Sequence, residues 1–260
     1  MTPIIMHGAA GRMGRRILGL AAEQSAAFRI VLGVDQKPAR LSDLGVAADG
    51  AVVTALPDDV RGTVVIDFSH PSSFPALAKR CAELGCPLVS GTTGIEPATL
   101  AAALDAAAGR IPVLHAGNMS VGVNVLCAVA AQLARALGPG YDIEIVEAHH
   151  HLKVDAPSGT AFALADAILE ATGRTRADLV LGREGQVGAR RKGEIGMHAL
   201  RLGDVVGDHT VYFVGNGERV LIGHVAHTRD IFAGGALRAA AFLHGRAPGR
   251  YTMRQALGLG

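Results

Sequence analysis

The sequence predicts an α/β protein in which a parallel sheet covered by helices is followed by an α+β region on a mixed sheet. Up to about residue 115, short β-branched runs alternate with alanine-rich helical stretches, the pattern of a sheet buried on both faces. Beyond about residue 141, alternating apolar and polar runs follow one another with few helices between them, which implies antiparallel or mixed pairing. The 260 residues suffice for two such domains, and 49% hydrophobic against 18% charged residues supply their cores.

Taken in order, Ile4-Ile5-Met6 reads as the first strand, and a glycine loop then opens a helix running to about Glu23. Phe28–Val34 is the second strand, and Val64–Phe68 the third, after the Pro57-Asp58-Asp59 turn. A helix over Ser72–Leu84 precedes a strand at Pro87–Ser90. Pro97–Ala108 is helical, with Leu100 and Leu104 four residues apart, and Ile111–Leu114 is the next strand. Val121–Leu137 and Ser158–Thr172 read as helices on either side of the alternating strand Tyr141–Glu147. Glu194–Leu202, His209–Val214 and Arg219–His224 follow as strands, and Ile231–Leu243 is a helix expected to pack back on the first domain. Short loops near Asn118–Ser120 and His227–Asp230 set the expected boundaries: one domain of residues 1–119 plus 229–260, the other of residues 120–228.

Composition narrows the class of function. Twenty-five basic against 23 acidic residues give a net charge of +2, without the basic surplus of a nucleic-acid binder. Tryptophan is absent and aromatics are 4%, which leaves little for base stacking. Three cysteines, Cys81, Cys86 and Cys127, form no CxxC pair and fit a reducing cytoplasm. The N-terminus lacks the basic region of a signal peptide, and the uncharged stretch 111–134 carries Pro112, His115, Asn118, Asn124 and Gln132, so no membrane span is expected. Thirty-four glycines suit tight turns and close approach of backbone to a small ligand.

Gly8-Ala9-Ala10-Gly11-Arg12-Met13-Gly14 joins the first strand to the first helix. Such a loop lets backbone amides at a helix N-terminus meet a pyrophosphate. Asp35 stands 21 residues after Gly14, at the end of the second strand, where an acid accepts hydrogen bonds from an adenosine ribose. Strand, loop, helix, strand and acid in register point to a Rossmann-like dinucleotide-binding domain, although the spacing is GxxGxxG rather than GxGxxG. NADH and NADPH both stay open: Asp35 repels a 2′-phosphate, whereas Lys37 and Arg40 attract one. Gly91-Thr92-Thr93-Gly94 and Ala116-Gly117-Asn118-Met119 follow strands and are candidate walls of the nicotinamide pocket.

The densest chemistry lies in Glu147-Ala-His149-His150-His151-Leu-Lys153-Val-Asp155-Ala-Pro157-Ser158-Gly159-Thr160. Neighbouring histidines on an extended chain point to opposite faces and no matching ligand pair exists, so no metal is expected. A histidine able to give a proton near neutral pH, a fixed lysine charge, and a helix start at Ser158 with the Gly159 and Thr160 amides suit a small carboxylate substrate.

These residues resemble the 4-hydroxy-tetrahydrodipicolinate reductase family, formerly dihydrodipicolinate reductase. GAAGRMGR at 8–15, GTTG at 91–94, GNMSVGVN at 117–124 and EAHHHLKVDAPSGTA at 147–161 carry the likeness. It continues through GEIGMHALRLGDVVGDHTVYF at 193–213, FAGGALRAA at 232–240 and the terminal YTMRQALGL. The resemblance implies reduction of a cyclic dicarboxylate by NADH or NADPH in the diaminopimelate route to lysine, in the cytoplasm, by a homotetramer built through the sheet of the substrate domain. It implies His149 as the acid, Lys153 as second proton donor or anchor, and His150, Gly159 and Thr160 as substrate contacts. Gly8 to Met13, Asp35, Gly91 to Thr93 and Ala116 to Met119 would hold the cofactor. Gln36 stands where some members carry an arginine for the 2′-phosphate, and Leu152 where some carry histidine. A silent NAD(P)H sensor, or another dehydrogenase of amino or keto dicarboxylic acids, is the alternative.

Overall fold

Apolar Ile4, Ile5 and Met6, all without solvent exposure, make Thr2–His7 a central strand (β1). In the computed structural model, which describes residues 1–259, the chain turns at Gly8 into helix Arg12–Glu23 (α1) and returns as Phe28–Val34 (β2). Two short strands, Ala39–Arg40 (β3) and Ala51–Val53 (β4), precede Val64–Asp67 (β5). Phe74–Leu84 (α2), Leu88–Ser90 (β6), Pro97–Ala108 (α3) and Pro112–His115 (β7) follow. Glu96 starts α3 by accepting from the amides of Ala98 and Thr99 at 2.9 and 2.7 Å.

The chain then builds a second unit from helix Val121–Leu137 (α4), strand Asp142–His149 (β8), helix Gly159–Thr172 (α5) and strands Leu179–Leu181 (β9), Ile195–Arg201 (β10), Gly207–Val214 (β11) and Arg219–Ala226 (β12). Helix Asp230–Leu243 (α6), strand Gly249–Tyr251 (β13) and helix Met253–Ala256 (α7) end it. Two units result, Met1–Val121 with Asp230–Gly260, and Gly122–Arg229.

The first unit is an eight-stranded sheet in the order β13-β7-β6-β5-β1-β2-β4-β3, parallel throughout except where β3 meets β4. One face packs against α1 and α6 through Ile17, Leu18, Ala236, Leu237 and Leu243, the other against α2 and α3 through Phe74, Leu77, Cys81 and Leu104. β3, β4 and β13 were absent from the elements expected, being two or three residues long and too short to show a period. β9 was missed for the same reason.

The second unit is a mixed five-stranded sheet, β12-β11-β8-β10-β9, in which β10 runs parallel to β8 and β9, and β11 antiparallel to β8 and β12. Its inner face buries Ile143, Ile145, Ile195, Met197, Val211 and Phe213 against α4 and α5. Val121–Gly140 is long and apolar enough to cross a membrane by length and composition alone, yet its Leu126, Ala130 and Ala134 lie in this core. Pairing sets Glu147 opposite His209, His149 opposite Arg201, and His209 opposite His224. With the two-residue period of a strand, these polar side chains continue the face that begins with Ile143 and Ile145.

Candidate active site

In the first unit a cavity of about 810 Å³ opens at the C-terminal ends of β1, β2 and β5, where a doubly wound sheet binds its ligands. Gly8, Ala10, Gly11, Asp35, Gln36 and Phe68 are among its lining residues. Gly8 adopts φ +84°, and a Cβ there would meet the Phe68 carbonyl oxygen at 2.7 Å. Gly14 lies so close under the loop that a Cβ would sit 2.1 Å from the Gly8 carbonyl oxygen. Asp35 fixes the loop as well as facing the cavity: Oδ2 accepts from the Ala10 amide and Oδ1 from the Gln36 amide, both at 2.8 Å. Each oxygen keeps a lone pair for a ribose hydroxyl. A glycine cradle that side chains would fill, ending in this acid, fits a dinucleotide.

The expected cofactor residues do not all reach this wall. Ala9 and Met119 are fully buried in the core, and Met13 packs partly buried against it. Arg12 lines a separate cavity of about 380 Å³ with Arg15 and Arg16. Gly91, Thr92 and Thr93 follow β6, and Ala116, Gly117 and Asn118 follow β7, on the edge that carries the cavity but outside its lining.

What joins the 91–94 loop to the cavity is Asp67, at the end of β5, which the sequence reading passed over. Asp67 has no exposed surface. Its Oδ1 accepts from His7 Nδ1 at 2.9 Å and Ser69 Oγ at 2.6 Å, and its Oδ2 from Ser90 Oγ and Thr92 Oγ1, both at 2.8 Å. Burial pushes its carboxyl up, but the bonds from His7, Ser69 and Thr92 outweigh it and leave the group below the usual carboxylate range. Thr92 Oγ1 also takes the Ser69 amide at 3.0 Å, and the Phe68 ring packs where a Gly91 side chain would be. His7, Phe68 and Ser69 line the cavity, and Asp67-Phe68-Ser69-His70 at a strand end was the only signal for the last two.

In the second unit, His149 closes β8 with 10% of its side chain exposed, and its Nδ1 lies 2.6 Å from Glu147 Oε2. Glu147, 1% exposed, is gripped from both sides. Arg201 donates from Nη1 to Oε2 at 3.0 Å and from Nη2 to Oε1 at 3.1 Å, and the Ser158 amide donates to Oε1 at 3.0 Å. Burial raises this carboxyl, while Arg201 and then His149 lower it by more, so it stays ionised. Ser158 caps α5 as expected, its Oγ accepting from the Ala161 amide at 3.2 Å. That hydroxyl also meets His209 Nε2 at 3.1 Å. The His209 ring stands edge-on to His149 with centroids 5.2 Å apart. Burial, then the nearby His149, drives His209 down to about 4, so it is neutral at pH 7.

Lys153, Gly159 and Thr160 belong to the same chain segment: Lys153 Nζ donates to Asp155 Oδ1 at 2.7 Å, and the position of a Gly159 Cβ is open space. His150 and His209 each keep a buried Nδ1 without a partner, as does His224. His151 donates to the Gly203 carbonyl at 2.7 Å. Among the described residues no group of His, Cys, Asp and Glu is arranged to hold a metal. Glu147, Arg201 and His209 were missed because two of them come from other strands, and only register brings them in.

Two family models match: residues 2–119 the N-terminus of dihydrodipicolinate reductase, and residues 122–257 its C-terminus. The chain belongs to this family. It is 49% identical to 4-hydroxy-tetrahydrodipicolinate reductase of Myxococcus xanthus (strain DK1622), over 99% of this chain and 98% of that one. Against the protein of the same name from Alkalilimnicola ehrlichii (strain ATCC BAA-1101 / DSM 17681 / MLHE-1) it is 46% identical over 99% of each. The fold matches that of the dipicolinate-bound dihydrodipicolinate reductase from Paenisporosarcina sp. TG-14, with a TM-score of 0.75, 23% identity and 97% of each chain covered. The reductase family and the Rossmann-like first unit imply a pyridine nucleotide cofactor and a small-molecule substrate.

Proposed function

We propose that this protein reduces 4-hydroxy-tetrahydrodipicolinate to tetrahydrodipicolinate with NADH or NADPH, in the diaminopimelate route to lysine. The observation that carries this is the His149–Glu147–Arg201 arrangement beside the capped start of α5, in a chain whose relatives at 46–49% identity bear the reductase name. Gly8, Ala10 and Gly11 offer backbone to the pyrophosphate and Asp35 takes the adenosine ribose, while the 91–93 and 116–119 loops serve the nicotinamide end. When bound, the reduced nicotinamide supplies the hydride. His149 gives the proton from Nε2, and Lys153, with His150 and the Gly159 and Thr160 amides, holds the substrate carboxylates.

NADH serves at least as well as NADPH in this reading. Gln36, an uncharged residue, lines the cavity beside Asp35, and Lys37 and Arg40 are not among its lining residues. The working form is a cytoplasmic homotetramer without nucleic-acid or membrane partners. The outward face of the second sheet supports assembly, with Leu200, Leu221 and Val225 between 45% and 56% exposed.

The test follows NADH and NADPH absorbance while the substrate is generated in place from pyruvate and aspartate semialdehyde by the preceding synthase. Oxidation that depends on the synthase, at an NADH rate no lower than the NADPH rate, is expected. Cofactor binding without oxidation would overturn the reading in favour of a sensor. Oxidation with amino or keto dicarboxylates instead would mark another dehydrogenase.

A further inference from the structure

Glu147 is hydrogen-bonded on its two oxygens to two parts of the site, the ring of His149 and the start of α5. Oε2 receives His149 Nδ1, and Oε1 receives the backbone amide of Ser158, the cap residue of α5. Arg201 bridges both oxygens, so the carboxylate cannot rotate away from either partner without breaking that pair. Arg201 is itself held by the Asp155 and Leu200 carbonyls, and it stands opposite His149 in the β8–β10 register. The His149 carbonyl in turn accepts from the Leu202 amide at 2.8 Å, fixing the end of the strand.

The geometry points to Glu147 as the positioning residue that sets which nitrogen of His149 gives up its proton and locks that nitrogen to the anion-binding start of α5. This rests on the reductase reading for its catalytic meaning, but its structural content stands apart from it. An ionised carboxylate accepts only, so Nδ1 must carry hydrogen whether His149 is charged or neutral. The transferable proton then resides on Nε2. Among the described residues no group bonds to that nitrogen, and Gly207 lies against it, where a Cβ would come within 3.0 Å.

In the step itself, the Nε2–H bond breaks, its proton passes to the substrate carbon left electron-rich by hydride addition, and His149 remains as the Nδ1–H neutral form. The imidazolium charge is thereby lost from the site, while Glu147 stays ionised beside the Arg201 guanidinium. His149 regains its proton from solvent before the next turnover. Neutral His209, packed edge-on to His149, adds no competing positive charge at neutral pH.

The experiment is ¹⁵N NMR of the histidine rings in the full-length protein, read with the His149 ring neutral, paired with kinetics of Glu147→Gln. In the unsubstituted protein the neutral ring is expected as the Nδ1–H tautomer; an Nε2–H ring overturns the proposal. Glu147→Gln is expected to lose that tautomer preference and to lower kcat about 100-fold, with KM for the dicarboxylate rising far less and NADH affinity unchanged. Should Glu147→Gln fail to fold with Arg201 unpaired, Glu147→Gln with Arg201→Met removes both charges and serves as the second variant. A kcat within twofold of normal in either variant overturns the positioning role. Absence of turnover in the unsubstituted protein would count against the reductase reading alone, since the tautomer still decides the Glu147–His149 link.

Discussion

Asp67 and Glu147 are both almost without solvent contact, and both remain ionised because several donors converge on each. His209 is the opposite case. Its burial beside His149 favours the neutral ring and lowers it from 6.5 to about 4. Between those values the unfolded chain takes up a proton that the folded one refuses, so stability is full above pH 6.5 and declines as pH falls toward 4. The loss from this one group is at most about 3 kcal/mol. Urea unfolding from pH 7 to 4.5 should show that slope, flattened in His209→Asn. An equal slope in the variant would assign the loss to other groups. The Glu144 carboxyl acts in a lower window: burial raises it, but Arg183, His198 and Arg190 bring it to about 2, so its contribution is lost only as pH falls from 4.5 toward that value.

Among the elements, the glycine loop shows where local preference yields to tertiary packing. Gly14 is the third residue of α1, and helix propensity alone favours alanine there by about 1 kcal/mol. The Cβ position, 2.1 Å from one backbone oxygen and 2.9 Å from the Ala9 backbone, reverses the sign. Gly14→Ala should cost about 2 kcal/mol or more net, lowering Tm by roughly 5 °C or more by calorimetry. An unchanged or higher Tm would show that the loop yields. The long elements were legible in advance: α3 and α4 begin and end where their apolar spacing and the flanking proline and glycine place them, and Ser158 is the cap that its side chain suggested. The short edge strands carried no period to read. Cofactor loops could be placed from glycine spacing, but that reading could not separate Ala10, which lines the cavity, from Ala9, which turns into the core.

For the whole molecule, the family and the two folds were legible because the identifying motifs run nearly the full length of the chain. The groups around His149 were less so. Glu147, Arg201 and His209 come from three strands, and only the mixed register of the second sheet gathers them. Assembly belongs to this scale too. Leu221 on β12 is 46% exposed on the outward face, and a charge there should break a tetramer built through that sheet. Sedimentation should give four copies for the unsubstituted chain and fewer for Leu221→Glu; identical species would place the contact elsewhere. The central claim, that the second unit supplies the proton while the first holds the dinucleotide, meets its most direct test in His149→Gln. Turnover and NADH dissociation constant, measured side by side, should separate: kcat falls by about 100-fold or more with NADH affinity unchanged. Equal losses in both, or full turnover in the variant, would contradict the account.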